Sequence, residues 1–312
     1  MTAYIVRRAI YALVAMFVAS VIIFYGLRVA PGAPDSTLFN PFASQEAKQA
    51  LREKLGLNDP LPLQYVHFLR DLVHGNLGDS IKSGQPIPTL LAQYGKNSIL
   101  LVASAAFLTY ALSIPLGILA ATYRGRWPDH LTMVLASVGM GVPNFLLGLL
   151  LSLIVGLELG WLPISGSGGW QYLALPAITL AAEGVAVSLR LMRSSVLEQL
   201  DQDYVRALRA RGLRGHTIIW RRVARNALLP IISLSGIQIG ALIGYTAIVE
   251  IIFRYPGLGQ LLVSAVLQRD YPVALWLSLL LTGSVILINF IANIGYALAD
   301  PRIRVSGDTS GG

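Results

Sequence analysis

The sequence predicts an all-α integral membrane protein with six transmembrane helices and a helical extracytoplasmic loop after the first of them. Of its 312 residues, 54% are hydrophobic and only 13% are charged, whereas a soluble domain carries about 25% charged residues. Six apolar runs are long enough to cross a bilayer core about 30 Å thick, which takes roughly 20 helical residues. Arginines flank these runs, as they do at the cytoplasmic ends of membrane spans. A chain with so many hydrophobic and so few charged residues is suited to the apolar interior of a bilayer.

The apolar runs define the predicted spans in chain order. Five of them contain no charged residue, namely Ala9–Leu27, Asn97–Tyr123, Leu131–Leu157, Asn226–Val249 and Tyr271–Ala299. The remaining run, Tyr172–Leu189, is interrupted only by Glu183. Arg7 and Arg8 before the first run would also fit a cleaved signal peptide. However, this run is longer than a signal core of roughly 7–15 residues, and no small-x-small cleavage site follows it. We therefore interpret the first run as a retained membrane anchor.

Basic residues set the predicted orientation. On one side of the membrane, the loop Glu158–Trp170 has no basic residue, and Phe253–Asp270 has only Arg254 and Arg269. The segments on the other side are rich in arginine, at positions Arg7, Arg8, Arg124, Arg126, Arg190, Arg193, Arg206, Arg209, Arg211, Arg214, Arg221, Arg222, Arg225, Arg302 and Arg304. By the positive-inside rule this second side is cytoplasmic. Both termini are therefore predicted to lie in the cytoplasm, with the chain in the cell membrane.

The net charge of +8 does not indicate nucleic-acid binding. Basic residues that bind nucleic acid form a patch or stripe, whereas here they flank apolar runs. The sequence therefore predicts that membrane lipid surrounds the protein and that the protein does not bind nucleic acid.

This topology divides the chain into four regions. Residues 1–30 form a cytoplasmic N-terminus and the first transmembrane helix, and residues 31–96 form an extracytoplasmic loop or cap. Residues 97–299 form a five-helix core that includes a cytoplasmic segment at 194–225. Residues 300–312 form a cytoplasmic tail. Within the loop, two stretches have a helix-like pattern and end at or near a glycine, Gln45–Leu55 and Leu63–Val73.

The cytoplasmic segment is predicted to form a helix, a turn and a second helix. Val196–Leu208 has apolar residues at helical spacing, Gly212 and Gly215 break the helix, and Ile218–Ala224 resumes it. The small residues before the turn and their arginine-rich flank suit docking into a groove on a partner protein. An amphipathic helix that lies on anionic lipid is the alternative.

Motifs for catalysis and cofactor binding are missing from the sequence. It has no G-x-x-x-x-G-K-[ST] phosphate loop, no H-E-x-x-H zinc motif, no G-x-S-x-G nucleophile elbow and no cysteine. Its four histidines are scattered, without metal-ligand spacing. We therefore predict no catalytic residue, no metal site and no cofactor in this chain. A membrane enzyme is kept as the alternative from a different functional class.

Several stretches resemble one family of transporters. DYVRALRARGL (Asp203–Leu213) and WRRVARNALLP (Trp220–Pro230) resemble the coupling segment of binding-protein-dependent ABC importers, specifically of their dipeptide/oligopeptide permease subunits. Other stretches resemble the same family in the same order, namely RVAPGAP (Arg28–Pro34), LREKLGLNDPLPLQY (Leu51–Tyr65), GNLGDS (Gly75–Ser80), FRYPGLGQLLVSAV (Phe253–Val266), RDYP (Arg269–Pro272) and DPRIR (Asp300–Arg304). The long loop after the first span resembles the first of the two paired permeases.

The resemblance implies a type I ABC importer permease fold and a role in ATP-driven import. A second, homologous permease would complete the translocation path for di- or oligopeptides, and an extracytoplasmic binding protein would deliver them. Two cytoplasmic ATPase subunits or domains would bind ATP and Mg. Another cargo, such as a nickel chelate, glutathione or haem, is the alternative within the same architecture.

The resemblance also implies which residues couple this chain to the ATPase. They are Tyr204, Ala207, Ala210, Gly212 and Leu213. Where the general importer motif begins with Glu-Ala-Ala, this chain has Arg206, Ala207 and Leu208.

Polar residues inside the spans are candidates for lining the path, namely Glu183, Asn144, Asn289 and Asn293. An acid inside a span is costly and faces protein or water. Glu183 could meet the amino group of a peptide, or it could form a structural ion pair or hydrogen bond with a neighbouring helix. The asparagines could instead join helices by hydrogen bonds. Pro115 and Pro143 are expected to kink their spans.

Overall fold

Long apolar helices form the part of the chain that the structure describes. The computed structural model describes residues 2–29, 46 and 58–299, and its regular structure there is helical apart from one isolated β-bridge between Asp79 and Pro86. In chain order the helices are α1 (Thr2–Val29), α2 (Leu61–His74), α3 (Ile87–Thr122), α4 (Trp127–Gly141), α5 (Asn144–Leu151), α6 (Trp170–Leu200), α7 (Asp203–Ala210), α8 (Gly215–Ile252), α9 (Leu258–Leu267) and α10 (Tyr271–Ala299). Runs of π-helical turns continue α5 over Ser152–Glu158 and form Ile219–Val223 within α8.

The helices confirm the predicted six-span architecture. Five of them, α1, α3, α6, α8 and α10, are each long and apolar enough to cross a membrane. Helices α4 and α5 with its π-helical continuation pass the same test together, although the chain bends between them, and counted as one span they make the sixth. Helices satisfy all their backbone N–H and C=O groups internally, which a bilayer core without water requires.

The predicted third span, Leu131–Leu157, is not one continuous helix, which corrects the sequence-based expectation. The two halves are bent by 105° where α4 gives way to α5. Proline disfavours a helical conformation in the residue before it. Val142, just before Pro143, is accordingly extended, with φ −91° and ψ 118°. Pro143 therefore separates two helices, while Pro115 lies inside the uninterrupted α3.

The cytoplasmic segment also has helix boundaries that differ from those predicted. The predicted helix Val196–Leu208 is interrupted, because α6 ends at Leu200 and α7 begins at Asp203. Gly215 does not break a helix but begins α8, which continues through the fifth predicted span. Of the two predicted breakers only Gly212 has a positive φ, of 76°, and it alone makes the turn.

Helix α2 folds onto the bundle through aromatic packing. Phe68 of α2 lies 5.0 Å from Trp276 of α10, and Tyr65 of α2 lies 5.3 Å from Phe24 of α1, measured between ring centroids. All four side chains are buried in one apolar cluster. Aromatic pairs at these distances attract beyond the burial of their area. The loop after the first span is therefore fastened to the first and last spans.

The second helix predicted in that loop, Leu63–Val73, is confirmed by α2. Gly75 ends it in the left-handed conformation, with φ 69°, which glycine adopts without a steric penalty. The first predicted helix of the loop, Gln45–Leu55, lies outside the described residues except for Glu46, and the C-terminal tail lies outside them entirely.

Small residues bring α3 and α6 close together at the centre of the bundle. A Cβ atom on Gly117 of α3 would lie 2.7 Å from the Cβ of Met192. A Cβ atom on Gly184 of α6 would lie 3.1 Å from the side chain of Thr109. Close backbone approach at small residues is how helices pack in a membrane, where lipid tails are as apolar as the helix surfaces.

Candidate functional site

Helix α7 is amphipathic and packs against three spans with one face. Val205 is fully buried, and Tyr204 and Leu208 are partly buried against one apolar cluster. Helices α3, α6 and α8 supply that cluster, which includes Ile118, Ala121, Met192, Val196, Ile218 and Val223. The opposite face, with Ala207 and Ala210, is exposed. Helix α7 is thus held to the bundle by its apolar face and leaves its small residues accessible.

A tight turn ends α7. The N–H of Gly212 donates to the carbonyl of Arg209 at 2.9 Å, and the N–H of Leu213 donates to the carbonyl of Leu208 at 3.3 Å. This pair of hydrogen bonds is the Schellman motif, which satisfies the last carbonyls of a helix and places a left-handed residue after it. Connections of two and four residues join α7 to α6 and α8. Helix α7 is therefore joined closely to both spans along the chain.

The structure separates the five predicted coupling residues into two groups. Ala207, Ala210, Gly212 and Leu213 are exposed, on α7 and its turn. Tyr204 is partly buried, and its hydroxyl donates a hydrogen bond to Gln199 Oε1 at 3.0 Å. The same hydroxyl accepts a hydrogen bond from Asn226 Nδ2 at 3.5 Å. Tyr204 therefore joins α7 to α6 and α8 and does not belong to the exposed face.

An ion pair that the sequence analysis did not identify fastens the beginning of α4 to α6. Arg193 donates from Nε to Asp129 Oδ1 at 2.6 Å and from Nη2 to Oδ2 at 2.8 Å. The backbone N–H of Gly125 donates to Asp129 Oδ2 at 2.9 Å. Asp129 is almost completely buried, and bidentate geometry makes such a pair strong. Because the partners are 64 residues apart, no local pattern points to the pair.

Two of the predicted path residues meet at the break between α4 and α5. Asn144, the first residue of α5, donates from Nδ2 to Glu183 Oε2 of α6 at 3.3 Å. Glu183 is exposed on the surface of this chain, and the Oδ1 atom of Asn144 is buried without a hydrogen-bond partner. A carboxylate exposed at this depth must face water or protein, because lipid would not solvate it.

The other two predicted path residues lie on α10. Asn289 donates from Nδ2 to the carbonyl of Val285 within its own helix at 3.0 Å. It also lies beside Gly236 and Gly240 of α8, at the contact between α8 and α10. Asn293 is partly buried on the same helix. Among the described side chains, no hydrogen bond joins either asparagine to Glu183, so the four predicted residues do not form one cluster.

Comparison with known proteins identifies the family. The family described as the binding-protein-dependent transport system inner membrane component matches residues 113–305, and the family of its N-terminal region matches residues 1–114. The chain belongs to this family. It is therefore an inner-membrane permease, and the resemblance to ABC importer permeases is confirmed.

Relatives of the permease match it over nearly its whole length. The glutathione transport system permease protein GsiC of Escherichia coli strain K12 and that of Shigella dysenteriae serotype 1 are each 36% identical to it over 301 residues, covering 96% of this chain and 98% of theirs. These relatives are named as transport permeases and not as enzymes.

The fold of the permease has a solved counterpart. A chain of the MetNI methionine ABC transporter, in an inward-facing conformation, matches it with a TM-score of 0.58 at 18% identity. The match covers 69% of the permease and 98% of that chain. At this level of identity the likeness concerns the fold alone, and it confirms the predicted type I ABC importer permease fold.

A buried carboxylate at the end of α8 was missed, because the predicted fifth span ended one residue before it. Glu250 is fully buried. It accepts a hydrogen bond from Ser98 Oγ of α3 at 2.5 Å and one from the N–H of Gln260 at 2.9 Å. Ser98 Oγ in turn accepts the N–H of Leu258 at 2.7 Å. Glu250 and Ser98 therefore cap the first turn of α9 and hold it against α3 and α8.

The glycines of the sequence Tyr-Pro-Gly-Leu-Gly give α9 its close approach to α8. A Cβ atom on Gly257 would overlap the carboxylate of Glu250, and one on Gly259 would overlap the backbone of Ala247. Glycine pairs that open a helix mark a close backbone approach. This was the one signal in the sequence that could have pointed to a tightly packed partner for this loop.

A second carboxylate joins two stretches of the permease that the sequence analysis singled out separately. Asp270, just before α10, accepts a hydrogen bond from Ser80 Oγ at 2.5 Å and one from the N–H of Ile81 at 3.2 Å. Both Asp270 and Ser80 are buried. The loop that leads into α3 is therefore fixed to the beginning of the last span.

A third polar contact lies between three spans of the permease. Tyr110 of α3 and Ser188 of α6 both donate to Gln238 Oε1 of α8, at 3.1 Å and 2.9 Å. Hydrogen bonds between spans replace the water that polar groups lack in a bilayer.

A metal site does not emerge from the described side chains. Within the described ranges, no group of three or more His, Asp or Glu residues could hold a metal ion.

Proposed function

We propose that this permease and a second, homologous permease form the path by which short peptides, glutathione among them, enter the cell. An extracytoplasmic binding protein delivers the peptide, and two cytoplasmic ATPase subunits or domains bind ATP and Mg and hydrolyse the ATP. The observation that carries the proposal is the near-full-length similarity to glutathione permeases. Glutathione is itself a tripeptide, so this cargo and the peptide cargo expected from the sequence are one chemical class.

The geometry of α7 supports its role as the contact with an ATPase. Its buried face fixes it to three spans through Val205, and its exposed face carries Ala207 and Ala210, which allow another backbone to approach closely. Small residues at a helix interface favour close packing. The turn at Gly212 then returns the chain to α8. In this proposal, closure of the ATPase subunits moves α7, and α7 moves α6 and α8 with it.

The distribution of arginine supports an orientation with α7 and both termini in the cytoplasm. The chain contains no cysteine, so single cysteines can test this. Asn76 follows α2 and Arg211 follows α7. Both residues are exposed, and neither has a positive φ, unlike Gly78 and Gly212. With Asn76→Cys, an impermeant maleimide is expected to label intact cells. With Arg211→Cys, it is expected to label only after the cells are opened. Labelling of both variants from the same side would contradict the orientation.

Uptake by the reconstituted importer tests the cargo. Proteoliposomes that hold both permeases and the ATPase subunits are expected to accumulate glutathione and trialanine when ATP and the binding protein are supplied. The matched controls omit the binding protein or the ATPase subunits, and neither is expected to accumulate peptide. This permease alone is expected to hydrolyse no ATP, because its sequence has no phosphate loop. Uptake of a nickel chelate or haem that peptides do not inhibit would overturn the proposed cargo.

A further inference from the structure

A largely polar stripe runs along α6 from the middle of the span to its cytoplasmic end. It comprises Glu183, Arg190, Ser194 and Glu198, all exposed, with the partly buried Val187 between the first two. Residues spaced by three and four positions lie on one face of a helix. Glu183 lies inside the predicted span Tyr172–Leu189, where a charge does not face lipid. Arg190 follows that span directly, and Ser194 and Glu198 continue the same face into the predicted cytoplasmic segment. The stripe therefore faces water or another protein inside the span as well as beyond it.

The stripe begins where α5 stops covering α6. One and two turns before Glu183, on the same face, Thr179 and Pro176 are buried. Gly148 of α5 lies against Thr179, where an added Cβ would be 3.2 Å from its methyl group. Asn144, at the start of α5, contacts Glu183 itself. The break at Pro143 therefore leaves one half of this face of α6 uncovered.

The two charges in the first half of the stripe have only neutral partners. Glu183 accepts a hydrogen bond from the Asn144 amide at 3.3 Å, and Arg190 donates from Nη2 to Ser137 Oγ at 2.6 Å. Among the residues that the structure describes, neither takes part in an ion pair. Nearby, Arg193 is neutralised by Asp129. The first half of the stripe thus presents one negative and one positive charge, each free to bind an opposite charge, and Glu198 adds a second negative charge at the end of the stripe.

We propose that this stripe is the peptide-binding wall of the translocation path, with Glu183 binding the ammonium group and Arg190 the carboxylate of a zwitterionic short peptide. This inference rests on the proposed function. The two residues are seven positions apart, about 10.5 Å along a helix with a rise of 1.5 Å per residue. An extended chain spans about 3.3–3.6 Å per residue, so a tripeptide is about 10 Å long. The spacing of the charges therefore matches a tripeptide bound along the helix axis.

Cysteine accessibility tests whether the stripe lines a path. In the complete importer in inverted membrane vesicles, a membrane-impermeant cationic methanethiosulfonate is expected to modify Val187→Cys, inside the span, about as fast as Ser194→Cys, which begins the predicted cytoplasmic segment and serves as the accessible control. Matched cysteines at Val134 and Ile237, whose side chains are 58% and 66% exposed on other faces, are expected to react at least tenfold more slowly because lipid surrounds them. Equally slow reaction at Val187→Cys, Val134→Cys and Ile237→Cys would overturn the proposal, since the stripe inside the span would then be covered by lipid or by the second permease.

Protection by peptides tests the assigned charges. Trialanine is expected to slow modification of Ser194→Cys at least fivefold, and N-acetyl-trialanine and trialanine amide are each expected to protect less well. Glu183→Gln should abolish the difference between trialanine and its N-acetyl form only. Arg190→Gln should abolish the difference between trialanine and its amide only, and Arg190→Lys should retain it. Protection that is the same for all three peptides would overturn the assignment.

The parent chain separates this inference from the proposed function. If the importer with the unsubstituted permease, which has no cysteine, accumulates trialanine but the stripe is neither modified nor protected, the stripe is not the binding wall and the function stands. If that importer accumulates no peptide at all, the proposed function fails, and this inference fails with it.

Discussion

Gly212→Val is expected to reduce ATP-driven uptake by roughly fivefold to thirtyfold, the effect of a change of one or two kcal/mol. Gly212 has a φ of 76°, and a residue with a Cβ pays about 1–2 kcal/mol there. Valine is worse than most because it is β-branched. The open space around Gly212 means that the cost comes from the backbone and not from a clash. The variant should insert normally, since Gly212 lies outside the spans.

Two matched variants control for this result. Gly212→Asn is expected to retain most uptake, because asparagine tolerates the left-handed conformation. Gly215→Val introduces the same side chain three residues later, where nothing lies within 4 Å and φ is not positive. It should affect uptake far less. Uptake and ATPase copurification are measured together for each variant. Normal values of both for Gly212→Val would refute the coupling role and favour a helix that rests on lipid.

A large side chain on the exposed face of α7 is expected to weaken the proposed contact with the ATPase. Ala207→Trp places a large side chain where close packing against an ATPase is proposed, and overpacking typically costs about 1–3 kcal/mol. The ATPase subunits should therefore copurify in reduced amount. A full complement of ATPase on this variant would show that Ala207 lies outside the contact.

Gly257→Ala is expected to lower the thermal stability of the permease in detergent. The new Cβ would overlap the carboxylate of Glu250, and moving that carboxylate would leave Ser98 Oγ and the N–H of Gln260 without their acceptor. A buried donor without a partner costs about 1–3 kcal/mol. The loss should appear as a lower midpoint in heating followed by size-exclusion chromatography.

Gly244→Ala is the matched control for that measurement. It adds the same methyl group to α8 at a position with nothing within 4 Å, and alanine favours helix over glycine by about 1 kcal/mol. Its midpoint should therefore be unchanged or slightly raised. Glu250→Gln should be destabilising as well, because an amide offers one acceptor oxygen where the carboxylate offers two. Equal midpoints for Gly257→Ala and Gly244→Ala would show that the Glu250 network contributes little to stability.

The sequence by itself determined the features that depend on neighbouring residues. Apolar runs of about 20 residues predicted the spans, because transfer into a bilayer is a sum over one continuous segment. The helical pattern of Leu63–Val73 and the glycine at 75 predicted α2 and its end. The amphipathic pattern and Gly212 likewise predicted a helix and a turn in the cytoplasmic segment, although its exact helix boundaries depended on packing against the bundle.

Only the tertiary structure decided which polar groups meet. Ser98 and Glu250 are 152 residues apart, Ser80 and Asp270 are 190 apart, and Asn144 and Glu183 are 39 apart. The break at Pro143 had the same origin, since proline only disfavours a helical residue before it. Pro115 lies inside the uninterrupted α3, whereas the chain bends by 105° at Pro143. Hydrogen bonds and ion pairs act over about 3 Å through space, so no pattern of neighbouring residues in the chain encodes these contacts.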